Sequence, residues 1–102
     1  MAFVKVCRED ELALGGMKKY VIDGEPIAVY RIATGFYATS DVCTHAGESL
    51  TKGSIEGHVI ACPKHGGKFD IESGKAVAFP CVTPVDTYAV EIRGEDVWVD
   101  FE

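Results

Sequence analysis

Thr87-Tyr88-Ala89-Val90-Glu91-Ile92-Arg93-Gly94-Glu95-Asp96-Val97-Trp98-Val99-Asp100-Phe101 is the stretch that decides the fold class. Residues 87–92 and 97–101 read as two strands joined by the turn Arg93-Gly94-Glu95-Asp96. Val97, Val99 and Phe101 point to one side, and Trp98 and Asp100 to the other. A period of two is the signature of a strand with one buried face.

The same grammar repeats upstream. Residues 2–6 read as a first strand. Residues 8–14 are charged, then apolar, and close at Gly15-Gly16, which fits one helical turn or a structured loop. Residues 18–22 and 27–32 flank Asp23-Gly24-Glu25-Pro26, a hairpin signal. Thr34-Gly35 turns the chain into 36–39. Segments 54–56 and 58–61 flank Gly57, and 68–71 meets Ser73-Gly74 before 75–78. Many short strands with glycine turns, and no competing helical period, predict an all-β antiparallel sandwich or barrel. The 102 residues contain no repeat, linker or low-complexity tract and are read as one domain, 1–102.

The formal net charge is −6. Nucleic-acid binders normally present a basic face, so that class is set aside. Acidity is common among soluble proteins, and it also suits steering onto a basic redox partner. The longest apolar run falls far short of the roughly 20 residues of a membrane helix. Met1-Ala2-Phe3-Val4-Lys5-Val6 lacks the basic flank and apolar core of a secretory signal, which predicts a cytoplasmic protein with no membrane partner. Thiols stay reduced there, so the four cysteines are not expected to form disulfides.

Two short peptides carry the chemistry: Cys43-Thr44-His45 and Cys62-Pro63-Lys64-His65, with sixteen residues between them. Each follows a β-prone stretch and precedes glycine, which puts both on loops at strand ends. Thiolate and imidazole together ligate zinc, copper or iron–sulfur clusters. Zinc modules commonly take two cysteines from one knuckle and two histidines from a helix. Here each loop offers one of each, and no helix carries the histidines. A cluster of two irons explains the mixing. If thiolates bind one iron and imidazoles the other, each loop must reach both metals.

Cys43-Thr44-His45-Ala46-Gly47 and Cys62-Pro63-Lys64-His65-Gly66-Gly67-Lys68-Phe69-Asp70 resemble the two cluster-binding boxes of Rieske-type [2Fe–2S] ferredoxins of bacterial aromatic-ring-hydroxylating dioxygenase systems. The resemblance spans essentially the whole chain. It implies the Rieske fold, an antiparallel sandwich or barrel with a small cluster-binding subdomain formed by two loops, at about 41–82. It implies one cluster per chain, with Cys43 and Cys62 on the inner iron and His45 and His65 on the outer, more exposed one. The partners it implies are a flavin-containing reductase as donor and a terminal Rieske oxygenase as acceptor. The carrier itself would be a monomer with no catalytic residue and no organic substrate.

Gly47, Gly66 and Gly67 are expected to bring backbone N–H groups toward the cluster sulfurs. Pro63 stiffens its loop, and Pro80 falls where the family has a third loop over the cluster. Departures from the family add detail. Similar proteins of respiratory complexes carry an extra disulfide; the matching positions here are Glu48 and Lys64. They also place serine and tyrosine hydroxyls where Gly67 and Phe69 stand. Fewer donors leave the reduced cluster less stabilised, which predicts a potential toward the low end of the Rieske range, roughly −150 mV. Exposed histidine ligands would also make that potential fall with pH in the alkaline range.

His58 reads as a surface histidine, and Cys7 and Cys81 as small buried hydrophobes, with Cys81 next to the covering loop. Asp41, Glu48, Asp70 and Glu72, mixed with Lys52, Lys64 and Lys68, read as charges of a docking surface around the histidines. Two other readings stay open: a small Rieske subunit of an assimilatory nitrite reductase or another accessory Rieske protein, and, from a different class, a structural zinc module.

Overall fold

Ile27, Ala28, Val29 and Tyr30 are four consecutive residues with no exposed surface, and they organise the molecule. Side chains alternate along a strand, so such a run is buried only where both faces of a sheet are covered. Ile27 and Val29 enter one buried cluster, with Cys7, Leu12, Ile22, Ala38, Val97 and Val99. Ala28, Tyr30 and Ile32 enter the other, with Cys43, Leu50, Ile60, Cys62, Phe69, Ile71, Cys81 and Val85. One strand thus forms the wall between two cores.

The computed structural model describes residues 3–44, 47–63, 66–79 and 81–101. The strands are β1 (Phe3–Arg8), β2 (Met17–Ile22), β3 (Glu25–Ile32), β4 (Gly35–Ser40), β5 (Ser54–Glu56), β6 (Val59–Ala61), β7 (Lys68–Asp70), β8 (Ala76–Ala78), β9 (Thr87–Tyr88), β10 (Val90–Arg93) and β11 (Asp96–Asp100). Single 3-10 turns occupy Glu9–Glu11 and Leu50–Lys52. Three antiparallel sheets result, ordered β1-β11-β10, β2-β3-β4-β9 and β5-β6-β7-β8. The first packs on one face of the second. The third, with the loops around it, shares the core on the other face. Among the described residues no helix is long and apolar enough to cross a membrane.

The all-β expectation holds. The β2–β3 hairpin turns at Asp23 and Gly24, both with positive φ (50° and 81°), so Ile22 pairs directly with Glu25. That geometry is the tight turn an Asp-Gly pair favours. One boundary is corrected. Residues 87–92, read as a single strand, are two: Thr87–Tyr88 pairs with β4, and Val90–Arg93 pairs with β11. The chain changes sheets at Ala89, and only tertiary packing makes that crossing visible. The opposing turn also tightens, with Arg93 paired to Asp96 across Gly94-Glu95.

Candidate metal centre

Both cysteine loops leave strands and are built on the same plan. Ser40-Asp41-Val42 leads from β4 into the first loop, which the Val42–Ser49 bridge closes. The Cys43 amide donates to the Glu48 carbonyl at 2.8 Å. Cys62 directly follows β6, and its amide donates to the Gly67 carbonyl at 2.8 Å. In each loop the cysteine is thus tied to the carbonyl five residues on. Gly47 and Gly66 sit in the left-handed region, at φ 68° and 72°, where a side chain would strain the turn. Both thiols face inward: Cys43 is 1% and Cys62 5% exposed, within one buried cluster. His45 and His65, the two imidazoles singled out with them, lie outside the described residues, as do Ala46, Lys64 and Pro80.

A third loop packs across the first two. Its Cys81 is buried, with the amide donating to the Ala78 carbonyl at 3.1 Å. The Cys81 and Cys43 sulfurs are 3.8 Å apart. Burial pushes the Cys81 thiol up to about 12, and its bond to Cys43 and the negative potential of Cys43 and Cys62 push the same way. Thr44 Oγ1 donates to the Thr83 carbonyl at 2.7 Å, tying the first loop to the third.

Asp41 holds the first loop in place. Its carboxylate, 1% exposed, accepts from the Ser49 hydroxyl and, at 2.9 Å, from the Thr51 amide. Its carbonyl accepts from the Leu50 amide at 2.7 Å, and its own amide donates to the Pro26 carbonyl at 3.0 Å. The loop that carries Cys43 is therefore pinned to the head of β3.

These geometries revise several expectations. Asp41 is a buried anchor, not a docking charge. Asp70 is half-buried; one oxygen accepts from the Glu72 and Ser73 amides and the other lies 3.3 Å from His58 Nδ1. His58 is exposed, as expected, but sits in the β5–β6 turn, not on a strand. The Gly47 N–H donates to the Cys43 carbonyl at 2.9 Å and so closes its own turn. Gly67 does not have a positive φ; its need for glycine is spatial, because a Cβ there would lie 2.2 Å from Cys81 Sγ.

Around this end of the molecule Val42, Phe79 and Val82 are exposed, Phe79 at 84%. Each is one or two residues from Cys43 or Cys81, so apolar side chains rim the loops. Beside them Ser40, Val42, Thr44, Thr83, Pro84, Val85 and Asp86 line an open groove.

The donor set can be tested against a two-iron cluster. Among the described residues no three His, Cys, Asp or Glu side chains converge on one ion, so Cys81 does not complete a three-thiolate site with Cys43 and Cys62. Two inward thiols on matched loops, with a buried third thiol beside them, fit a cluster gripped by two thiolates at its buried end.

The Rieske [2Fe-2S] domain family matches residues 2–89. The ferredoxin component of biphenyl 2,3-dioxygenase from Rhodococcus jostii (strain RHA1) is 40% identical over 102 residues, covering 100% of this chain and 95% of that protein. A chain in the complex of reduced oxygenase and oxidized ferredoxin in carbazole 1,9a-dioxygenase superposes with a TM-score of 0.94 at 39% identity, over 98% of this chain and 94% of that one. The ferredoxin of carbazole 1,9a-dioxygenase from Nocardioides aromaticivorans IC177 gives a TM-score of 0.95 at 34% identity, over all of both chains. With the fold, the paired loops and these full-length similarities in agreement, this chain belongs to the Rieske [2Fe–2S] family and, within it, to the ferredoxin group those relatives form.

Proposed function

We propose that this protein is a one-electron carrier that receives electrons from a flavin-containing reductase and delivers them to a terminal oxygenase hydroxylating an aromatic ring. Cys43 and Cys62 would hold the inner iron of the cluster, and His45 and His65 the outer. The observation that carries this reading is the pair of matched loops with buried thiols, in a chain similar along its full length to ferredoxin components of dioxygenases. The similar chain found in a complex of oxygenase and ferredoxin supports a partner of that kind.

When bound, the cluster would supply a reversible one-electron couple with no group transfer. The chain's own residues do the rest. Asp41, Ser49 and Thr51 fix the first loop, so the ligands need not rearrange between oxidation states. Phe69, Leu50, Ile60 and Ile71 exclude water from the inner side. Val42, Phe79 and Val82 offer a small apolar surface at the loop end, where a partner can displace water and approach closely. The proposed cluster-binding region, 41–82, spans both loops and the start of the third within a single domain. Its work would take place in the cytoplasm.

Reconstitution tests the reading. The purified holoprotein should show the visible and electron-spin spectrum of a Rieske cluster, and should restore product formation to an oxygenase and reductase lacking their ferredoxin. A Rieske spectrum with no turnover in any aromatic-ring system would sink the partner assignment. Loss of the Rieske spectrum on replacing Cys62 but not His65 would sink the ligand assignment.

A further inference from the structure

We infer that the Cys81 thiol donates a hydrogen bond to the Cys43 sulfur and so raises the reduction potential of the cluster. This rests on the proposal that Cys43 is a ligand of the inner iron.

The 3.8 Å separation is a hydrogen-bonding distance for two sulfurs, and either atom could be the donor in the bare thiol pair. Chemistry settles the direction once Cys43 ligates iron. A ligating cysteine has given up its proton, so its sulfur can only accept. Cys81 lies outside the proposed ligand set, is 3% exposed, and belongs to the buried cluster with Tyr30, Leu50, Phe69 and Val85, where a bare thiolate would be poorly solvated. Buried there it keeps its proton, and the Cys43 sulfur lies within hydrogen-bonding distance of it.

Gly67 supplies an independent observation. A Cβ there would meet Cys81 Sγ at 2.2 Å and Cys81 Cβ at 3.3 Å. The backbone at Gly67 is not in the left-handed region, so conformation does not demand glycine. The second loop has no side chain at this point because the third loop's thiol fills the space. The Ala78–Cys81 backbone bond and the Thr44–Thr83 bond hold that thiol against the first loop.

The consequence follows from charge. Reduction adds one negative charge to the cluster and its sulfurs. A donor on a ligand sulfur stabilises the more negative state, so removing it favours oxidation. A thiol is a weak donor, and the expected change in the reduction equilibrium is at most about tenfold, equivalent to about 59 mV for one electron.

The test compares midpoint potentials of the cluster-loaded wild type with Cys81→Ser, Cys81→Ala and Cys81→Val. Serine keeps a donor, valine fills the space without one, and alanine leaves the space open. Valine and alanine should both shift the potential negative, and serine should hold it or raise it. Equal potentials throughout, or serine falling with valine and alanine, would overturn the inference. If the apolar variants fail to take up the cluster, the wild type still decides. Its infrared S–H stretch, identified by loss in Cys81→Ser, should move to lower frequency on reduction; a band indifferent to redox state rejects the bond. A wild type without a Rieske spectrum would instead reject the underlying ligand assignment. A Rieske spectrum with a potential indifferent to Cys81 rejects this inference alone.

Discussion

Two buried polar side chains do structural work that their sequence neighbours do not hint at. Asp41 is a carboxylate in the interior with its charge matched by donors from Ser49 and Thr51. Asp41→Ala removes both acceptors and strands the Thr51 amide, so we expect a loss of about 2–3 kcal/mol in denaturant unfolding and faster loss of the cluster. Asp41→Asn keeps the shape and should cost less; equal stability for all three proteins would contradict the anchor role. Tyr30 is fully buried, with its hydroxyl 2.8 Å from Thr39 Oγ1. Burial, and secondarily the nearby Asp41, push its phenol well above the ordinary value. The unfolded chain loses this proton above about pH 10 while the folded chain keeps it, so this group's contribution is intact below that pH and is lost above it. Stability should fall by up to about 1.4 kcal/mol per pH unit above pH 10 on this account. Tyr30→Phe should lower stability at neutral pH by about 1 kcal/mol and flatten the alkaline slope; an unchanged slope would assign alkaline unfolding to other groups.

At the scale of elements, the third loop carries two exposed apolar side chains, Phe79 and Val82. Phe79 presents a whole ring to solvent, beside Val82 and close to the buried Cys81. Isolated exposed aromatics of this kind often carry much of a contact's energy. Phe79→Ser should raise the ferredoxin concentration for half-maximal oxygenase turnover by roughly fivefold to tenfold, with the midpoint potential unchanged. A change in potential with no change in that concentration would make Phe79 a packing residue of the cluster instead. The strand break at Ala89 belongs to the same scale. By leaving β4 for β11 there, the chain stitches the β2-β3-β4-β9 sheet to the β1-β11-β10 sheet and carries the third loop's exit from Val85 back into the sandwich.

At the scale of the whole molecule, the described residues form two cores that share β3, and one of them holds both cysteines of the proposed ligand set. The core of Cys7, Ile27, Val29, Val97 and Val99 contains neither cysteine of the proposed ligand set. The other contains both, with Cys81. Removing the cluster by chelation should therefore unfold the molecule unevenly. Amide exchange should accelerate across residues 41–85, while β1, β10 and β11 stay protected. Uniform loss of protection would show that the two cores form one cooperative unit.

The alternation of Val97 and Val99, the Asp-Gly turn and the glycine-punctuated short strands were enough to read an all-β chain, because period two and turn chemistry are local properties. The mixed Cys-His pairs were likewise legible, since ligand type and spacing are written along the chain. Three things were not. Asp41 reads as a surface acid until the fold places the Ser49 and Thr51 donors against it. Residues 87–92 read as one strand because the sequence carries no mark of the sheet exchange at Ala89. Cys81 lies 38 residues from Cys43 along the chain yet 3.8 Å from it in sulfur-to-sulfur distance. The sequence by itself determined the strands, the turns and the four candidate ligands. Only the tertiary structure decided that the Cys81 thiol packs against Cys43 and Gly67, because that depends on three loops meeting across contacts that no local pattern encodes.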